Sequence, residues 1–477
     1  MKRENLALLC DFYELTMAYA YWKEGLGARK ACFHLFFRRP PFKGGFTIAS
    51  GLEAVVHFIQ NFQYEKEDLD YLSQFFEPQF IDMLANLRLS VNIDAVEEGK
   101  AVFPHEPLLR VEGPLLECQL LESALLNCIN FPTLIATKAA RICLAAEGEP
   151  VIEFGLRRAQ GIDGAMTATR AAFVGGCTAT SNVLGGKEFG IPVLGTHAHS
   201  WVMAFDDEEE AFRAYARIFP DSSVLLVDTY NTIVGVKKAI KVGLWLKSQG
   251  YTLKGIRLDS GDLAALSIEA KALLDAAGLQ ETAIVASNEL DEVLIGELKR
   301  QGAKITVWGV GTNLVTGKEQ AALDGVYKIS ALQDSSGAWR YTLKLSEQLT
   351  KVSNPGRLQV RRFQNDEHYL GDILYDVGMG LPDPHQNQDP FDATKSLSIP
   401  ANATSFDLLT PIFTEGKLVY SLPKLTQIQE TAKKELASLP SAIKRNLNPH
   451  IYPVSMEKGL YELKLRLIKT IRDTEHE

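Results

Sequence analysis

Two histidines separated by one residue are the feature of the sequence most suggestive of chemistry. His197 and His199 follow the short apolar run 191–194, so at the end of a strand both rings would lie on the same face. Two neutral imidazoles can bind a metal ion, and a single one can act as a nucleophile or carry a proton. Either ring can also simply fill a polar pocket.

A metal site built on this pair would need further ligands from later strands. The sequence has no histidine between Ser200 and Glu367. This argues against a metal-dependent hydrolase and leaves His197 or His199 as a catalyst or as a buried side chain. The elements that position the two rings must decide between these roles.

Composition restricts the partners and the compartment. A chain of 477 residues is long enough for two or three domains with substantial cores. The net charge of -9 and the pI near 5.6 argue against a general nucleic-acid or anionic-membrane surface, so the expected partner is a small molecule. The charged N-terminus does not resemble a signal peptide, and no continuous apolar stretch is long enough to span a membrane. Six cysteines without a C-x-x-C pair predict free thiols in a cytoplasmic protein.

Three segments follow from the pattern of apolar residues. Residues 1–150 mix helical periodicity with short strands and predict an α+β domain. Residues 151–330 alternate short apolar runs with helical patterns and predict a TIM-like βα barrel, complete or incomplete, that carries the active site. Residues 331–477 return to an α+β pattern and are expected to pack back on the N-terminal domain. A doubly wound open sheet is the structural alternative for the middle segment.

Local signals predict the elements themselves. Asp11 and Glu14 form a capping box for a helix that extends to about Lys23, and Asp262 is the N-cap of a helix over 263–277. The strands of the middle segment are predicted at 151–154, 177–180, 192–194, 224–227, 255–258, 283–286 and 305–307, with 326–329 as a further candidate.

The loops after these strands are polar, and together they predict an anion-binding pocket. In a βα barrel the loops at the carboxyl ends of the strands build the active site. Glycine lets backbone N–H groups approach a phosphate, helix starts favour anions, and arginine forms a planar fork around a carboxylate or phosphate. The polar loop residues of this pocket are Arg157, Arg158, Thr196, Asp259, Asp262, Ser287, Asn288, Gly309, Gly311 and Thr312. Of these, Asp262, Ser287 and Asn288 are predicted to lie at helix starts.

Simpler interpretations of the same residues stay open at this point. Asp259 and Asp262 could bind sugar hydroxyls or a magnesium ion, or could be solvated carboxylates of a turn. Arg157 and Arg158 could equally form surface salt bridges. Gly309 and Gly311 do not complete the dinucleotide pattern, because position 314 is leucine.

The chain resembles the nicotinate phosphoribosyltransferases over nearly its whole length. The order and spacing of several blocks carry this resemblance, and the chain lacks the signature of type I phosphoribosyltransferases, which fits the barrel-containing type II class. The blocks are DFYELTM (11–17), GLE (51–53), FPTLIATKAAR (131–141), EFGLRRAQG (153–161), GTHAHS (195–200), RLDSGD (257–262), GVGT (309–312) and SNPG (353–356).

The resemblance implies an enzyme of NAD salvage that is ATP-coupled and therefore ligase-type. It would convert nicotinate and phosphoribosyl pyrophosphate into nicotinate mononucleotide and pyrophosphate, with Mg²⁺ and with ATP hydrolysis through a phosphohistidine. Members of the family are commonly homodimers with sites at the subunit interface. The alternatives are a nicotinamide or quinolinate phosphoribosyltransferase, or a non-catalytic barrel that binds phosphosugars.

The resemblance also implies roles for individual residues. His199 is the phosphorylated histidine, and Asp259 and Asp262 belong to the catalytic set, whereas His197 has no assigned role and the metal ligands are unknown. The substrate-binding residues are Tyr13, Arg157, Thr196 and Arg257. The phosphate-binding residues are Ser287, Asn288, Gly309, Gly311 and Thr312.

Overall fold

The computed structural model describes residues 5–348 and 351–474, and the chain divides into two compact units. The first unit combines residues up to Thr137 with residues from Ala322 onward, and the second extends from Lys138 to Ala321. Both boundaries lie earlier in the chain than the predicted ones after residues 150 and 330.

The N-terminal part of the chain contains six helices and five strands within its described residues. They are α1 (Phe12–Lys23), β1 (Lys30–Phe37), β2 (Thr47–Ile48), α2 (Leu52–Gln60), α3 (Lys66–Leu72), α4 (Pro78–Asn86), β3 (Asn92–Val96), β4 (Ala101–Val102), β5 (Leu109–Pro114), α5 (Leu115–Gln119) and α6 (Glu122–Ala145).

The second unit alternates strands and helices. Its elements are β6 (Val151–Glu153), α7 (Gly161–Val174), β7 (Ala179–Thr180), α8 (Val183–Phe189), α9 (His199–Met203), α10 (Glu208–Ile218), β8 (Val224–Leu226), α11 (Thr232–Ser248), β9 (Gly255–Leu258), α12 (Leu263–Ala276), β10 (Ala283–Ala286), α13 (Glu292–Arg300), β11 (Val307–Val310) and α14 (Thr312–Val315).

The C-terminal part is mostly strands. Its elements are β12 (Gly325–Gln333), β13 (Trp339–Tyr341), β14 (Leu358–Gln364), β15 (Tyr369–Asp376), β16 (Asn387–Gln388), β17 (Thr404–Asp407), β18 (Leu409–Thr414), β19 (Lys417–Leu418), α15 (Leu425–Ser438), β20 (Val454–Glu457) and α16 (Lys458–Thr474).

Strands from both ends of the chain build one sheet in the first unit. Its order is β13-β12-β1-β5-β3-β18-β19, so β1 pairs with β12 and β3 pairs with β18. The rings of Phe33 and Tyr327 stack with their centroids 4.8 Å apart, which places side chains from both segments in the same hydrophobic core. A second sheet, β16-β20-β15-β14-β17, comes entirely from the C-terminal part.

The second unit is built on a six-stranded parallel sheet with the order β7-β6-β11-β10-β9-β8. A further bridge joins Val193 to Thr180 of β7. The first and last strands of the series, β6 and β11, are therefore neighbours. Within the described residues no ladder joins the Val193 segment to β8, so the sheet is open and the expected barrel is not closed.

The run 326–329 does not belong to this parallel sheet, so its assignment to the barrel is wrong. It lies in β12, which pairs antiparallel with β1 in the first unit. Apolar character marks a buried strand but does not identify the sheet that buries it.

Helix ends follow the local signals. Asp11 and Glu14 form the predicted capping box of α1, and the Asp262 carboxylate caps α12 by accepting a hydrogen bond from the Ala265 N–H at 3.0 Å. The apolar stretch Leu115–Ala145 has the length and composition of a membrane span. However, 61% of its 18-residue apolar window is buried inside the protein. It is a core helix region by that criterion.

Candidate active site

Arg257, at the carboxyl end of β9, is the centre of a hydrogen-bond network. Its Nε donates to Ser287 Oγ at 2.9 Å, Nη1 to Thr196 Oγ1 at 3.1 Å, and Nη2 to Asp259 Oδ1 at 3.1 Å. Its side chain is only 15% exposed, and its guanidinium lies 5.6 Å from the centroid of the Phe154 ring. The contacts come from four strand-end loops, so the guanidinium is held in one orientation.

Asp259 is shared between this network and the end of β8. Its Oδ1 also accepts a hydrogen bond from the Ser287 hydroxyl, and its backbone N–H donates to Asp228 Oδ2 at 2.8 Å. Ser260 Oγ donates to the same Asp228 oxygen at 2.7 Å. Asp228 is 9% exposed, and within the described chain its other oxygen, Oδ1, has no hydrogen-bond partner. A buried carboxylate oxygen without a donor suits a cation or a hydroxyl-bearing ligand.

His199, the first residue of α9, lies beside these carboxylates. Its Nδ1 is 3.2 Å from Thr229 Oγ1, and its Nε2 is 3.8 Å from Asp259 Oδ2. The side chain is 42% exposed, so the ring can be reached from solvent. An accessible imidazole oriented by a hydroxyl and a carboxylate has the environment of a nucleophile or a proton carrier.

His197 faces the other way and is buried, at 7% exposure. Its Nε2 accepts a hydrogen bond from the Leu226 N–H at 3.3 Å, and its ring packs edge-on against Tyr215 with centroids 4.8 Å apart. Burial lowers the pKa of His197 to about 4, so the ring is neutral at physiological pH. The two histidines therefore do not form a metal-binding pair.

The loop after β6 packs against the loop after β11. Glu153 is buried at the end of β6, where its carboxylate accepts hydrogen bonds from Thr169, Thr180 and the Gly155 N–H. A side chain at Gly309 would lie 2.7 Å from the Phe154 ring, so glycine is required for this close approach.

The predicted phosphate-binding residues begin inside β11 with Gly309 and continue through Gly311 to Thr312, the first residue of the single turn α14. Gly311 also approaches the Phe154 backbone, with the position of a Cβ 3.2 Å from its carbonyl oxygen. The loop is thus next to Phe154 on the neighbouring strand. Its phosphate-binding role stays a prediction.

Ser287 and Asn288 do not start a helix, contrary to expectation. Helix α13 begins at Glu292 and is capped by Asp291, whose carboxylate accepts hydrogen bonds from two N–H groups. Asn288 and Glu289 have φ angles of 86° and 45°, a left-handed backbone that cannot form the first turn of a right-handed helix. Ser287 joins the Arg257 network instead, and Asn288 is exposed.

Three other predicted site residues form no hydrogen bond with the Arg257 network in the part of the chain that the structure describes. Asp262 is exposed and caps α12, and Arg157 is exposed in a short 3₁₀ turn, Leu156–Arg158, after β6. Tyr13 belongs to the first unit and is 45% exposed; partial burial and the nearby Glu122 raise the pKa of its phenol. The roles of these three residues stay predictions.

The structure thus brings together Thr196, His199, Arg257, Asp259 and Ser287. Sequence reasoning assigned no role to Asp228, Thr229 or Phe154, which complete the site. Asp228 and Thr229 directly follow a predicted strand, so their position was the available signal. The Phe154 ring had none, because an aromatic residue at a strand end is usually part of the core.

The arrangement can bind an anion at Arg257 and stabilise positive charge at Asp228 and Asp259. A fixed guanidinium suits a planar carboxylate, the aromatic face beside it suits a flat ring, and the two aspartates suit a cation or sugar hydroxyls. An accessible histidine adjoins the acidic side. Among the described residues, no group of three or more His, Cys, Asp and Glu side chains has the geometry of a metal site.

Comparisons with known proteins match the chain over nearly its whole length. Three family models match successive parts of the chain: the nicotinate phosphoribosyltransferase N-terminal domain over residues 8–130, the nicotinate phosphoribosyltransferase family over 150–341, and the C-terminal domain over 357–464. The nicotinate phosphoribosyltransferase of Bacillus subtilis is 42% identical, covering 99% of this chain and 97% of the relative. That of Dictyostelium discoideum is 40% identical, covering 95% and 87%.

Solved structures show the same relationship. The crystal structure of human nicotinic acid phosphoribosyltransferase matches with a TM-score of 0.82 and 32% identity, covering 96% of this chain and 99% of the human chain. A Pyrococcus furiosus structure described as nicotinate-nucleotide pyrophosphorylase shares the fold, with a TM-score of 0.69 at 23% identity. The chain belongs to the nicotinate phosphoribosyltransferase family.

Proposed function

We propose that this protein transfers the phosphoribosyl group of phosphoribosyl pyrophosphate to nicotinate in NAD salvage, forming nicotinate mononucleotide and pyrophosphate. The observation that carries the proposal is the fixed Arg257 guanidinium, which Thr196, Asp259 and Ser287 hold beside the Phe154 ring. A carboxylate on a flat aromatic ring is the ligand that matches this pairing. Whole-chain similarity to relatives named for the same activity supports it.

The reaction joins the pyridine nitrogen to C1 of the ribose while the bond from C1 to pyrophosphate breaks. Positive charge develops on the sugar as the leaving group departs, as in glycoside chemistry. Arg257 and Thr196 would orient the nicotinate carboxylate, and the Asp259 and Asp228 carboxylates would help to offset the positive charge of the sugar. Positioning and electrostatics are the main contributions asked of the protein.

ATP coupling through His199 is the second part of the proposal. A ring nitrogen of His199 would take the terminal phosphoryl group of ATP, forming an N–P bond while the P–O bond to ADP breaks. Its exposure and its contacts with Thr229 and Asp259 support this assignment. The phosphohistidine would be hydrolysed during the cycle and adds energy without covalent contact with nicotinate.

Magnesium is the proposed cation of the site. The unpartnered Oδ1 of Asp228, together with the Asp259 carboxylate, fits the oxygen ligands that Mg²⁺ prefers. Bound there, the ion would offset the negative charge of the pyrophosphate. Asp228 and Asp259 are the residues that we propose hold it.

The finer points of architecture are also proposals. We propose an incomplete barrel, because β6 and β11 are paired neighbours as the first and last strands of a barrel must be. We propose a cytoplasmic homodimer, because none of the six cysteines, all of which lie in the described part of the chain, forms a disulfide, and each unit exposes a cluster of large apolar side chains. The clusters are Phe12, Tyr71 and Phe75 in the first unit and Leu156, Ile162, Val183 and Leu184 in the second.

The deciding experiment is a competition assay with purified protein. Nicotinate, nicotinamide and quinolinate are supplied at equal concentration with phosphoribosyl pyrophosphate and Mg²⁺, with and without ATP, and the mononucleotides are quantified. We expect nicotinate mononucleotide with release of ADP. Preference for another pyridine would identify one of the alternative transferases, and the absence of any mononucleotide would leave the phosphosugar-binding barrel.

A further inference from the structure

One edge of β8 lacks a neighbouring strand among the described residues. On its other side β8 pairs with β9, and the Val227 N–H donates to the Arg257 carbonyl at 3.2 Å. Because N–H groups alternate along a strand, the Leu226 N–H must point away from β9. This is the edge that faces the gap in the parallel sheet. A buried N–H group there needs an acceptor from outside the ladder.

His197 supplies that acceptor. Its Nε2 lies 3.3 Å from the Leu226 nitrogen, where a carbonyl of an adjacent strand would otherwise be. Since the Leu226 N–H can only donate, Nε2 must carry a lone pair. The ring proton therefore belongs on Nδ1, which lies 3.4 Å from the Ala198 carbonyl.

The same loop makes two further contacts with the site. Thr196, one residue before His197, receives a hydrogen bond from Arg257, and His199, two residues after it, contacts Thr229. Thr196 and His199 thus contact the candidate site, whereas His197 between them contacts the edge of β8. Of these three, the middle one anchors the loop to the backbone of the sheet.

We infer that His197 is a positioning residue for the reaction: its neutral ring docks the loop that carries Thr196 and His199 onto the open edge of β8. It touches neither substrate nor reacting atoms in this inference, which rests on the proposed function only for its kinetic consequence. Its structural consequence, protection of the Leu226 amide, is independent of any activity.

Protonation undocks the loop, because a proton on Nε2 would face the Leu226 N–H. Burial, the charge of Arg257 on β9 and the neighbouring His199 on α9 all lower the pKa of His197, whereas its bond to the Ala198 carbonyl raises it. Tyr215 and Phe212 face the ring from α10. The pKa is about 4, so the contact is intact at neutral pH and is lost on acidification through that value.

Two substitutions of His197 distinguish the effect of its hydrogen-bond acceptor from the effect of its size and packing. His197→Gln keeps an acceptor that does not titrate, whereas His197→Leu removes it. In the full-length protein we expect His197→Leu to raise the KM for nicotinate about fivefold, the effect of losing one neutral hydrogen bond, and His197→Gln to stay within about twofold of wild type. The matched control is His34→Leu, because the buried His34 also accepts a backbone N–H, from Leu358 at 3.1 Å, but in the first unit.

Amide hydrogen exchange at Leu226 gives the second readout. Relative to its intrinsic rate, we expect this amide to lose protection in His197→Leu at neutral pH and in wild type near pH 4, but to keep it in His197→Gln. Equal protection in wild type and His197→Leu, or equal KM values for the Leu and Gln variants, would overturn the inference. If Leu226 behaves as expected and wild type makes no nicotinate mononucleotide, the docking of the loop by His197 stands and the proposed function fails.

Discussion

The Arg257 guanidinium and the Thr196 hydroxyl are joined by a hydrogen bond of 3.1 Å, although the two residues are separated by 61 positions in the sequence. This bond connects the loop that carries His199 to the strand end that carries Asp259. It therefore links the proposed pyridine-binding group to the proposed phosphate acceptor. We therefore expect substitutions of Arg257 or Thr196 to weaken nicotinate binding more than they slow the chemical step.

Replacing Arg257 by lysine tests the carboxylate-binding role. Lysine retains the positive charge but cannot bond Thr196, Asp259 and Ser287 from one planar group. We expect kcat/KM for nicotinate to fall roughly 100-fold, with most of the change in KM, because charge-assisted hydrogen bonds contribute roughly 1.5–3 kcal/mol each. Steady-state kinetics with varied nicotinate measure this. Arg300→Lys, an exposed change on α13, is the control and should have wild-type kinetics.

Replacing His199 by alanine tests ATP coupling. Without the imidazole no phosphohistidine can form, whereas the groups around Arg257 still bind nicotinate. We expect ADP release to disappear while slow mononucleotide formation persists. The measurement is the ratio of ADP to nicotinate mononucleotide, with the exposed His57→Ala as control. Equal loss of both products in a folded variant would mean that His199 acts in the transfer step itself.

Substitutions of Asp262 test whether its carboxylate only caps α12 or also takes part in catalysis. Asparagine caps helices about as well as aspartate, whereas alanine does not, at a cost of roughly 1 kcal/mol. If Asp262 only caps α12, Asp262→Asn should have wild-type activity and Asp262→Ala should unfold more easily. Activity assays and chemical denaturation measure the two properties. Loss of activity in the stable Asn variant would instead support the catalytic role inferred from the family resemblance.

Glu106 makes stability depend on pH in the first unit. Glu106 is fully buried near Asp372 and Arg362, and burial followed by the Asp372 charge raises its pKa well above the usual value. The folded state therefore holds a proton that the unfolded state releases, so the contribution of Glu106 to stability is greatest at low pH and falls as pH rises above about 4.3.

The variant Glu106→Gln should lose this dependence. We expect the free energy of unfolding of wild type to decrease relative to the variant as pH rises above about 4.3, by at most about 1.4 kcal/mol per pH unit. The amide oxygen of the new side chain can still accept the hydrogen bond that the Phe103 N–H donates to Glu106 at 2.8 Å. Denaturant titrations at several pH values measure the difference, and parallel curves for the two proteins would contradict the assignment.

Much of the site could be predicted from the sequence because strand ends and helix caps are local features. Apolar runs at 255–258 and 283–286 coincide with β9 and β10, and the capping residues Asp11 and Asp262 are in place. Parallel strands put their carboxyl ends at one edge of a sheet, so Thr196, Arg257, Asp259 and Ser287 could be expected to meet. Residue type and spacing determine these features directly.

Tertiary structure decided what each side chain does there. His197 and His199 follow the same apolar run, 191–194, which forms a single bridge at Val193 and not the predicted strand. One ring fills the open edge of β8, and the other stays accessible beside Asp259. Long-range pairing with β1 likewise decided which sheet contains residues 326–329. The left-handed backbone at Asn288 and Glu289 moved the start of the next helix beyond them. The orientation of each side chain depends on which polar groups lack partners once the strands have assembled. A local sequence pattern does not contain that information.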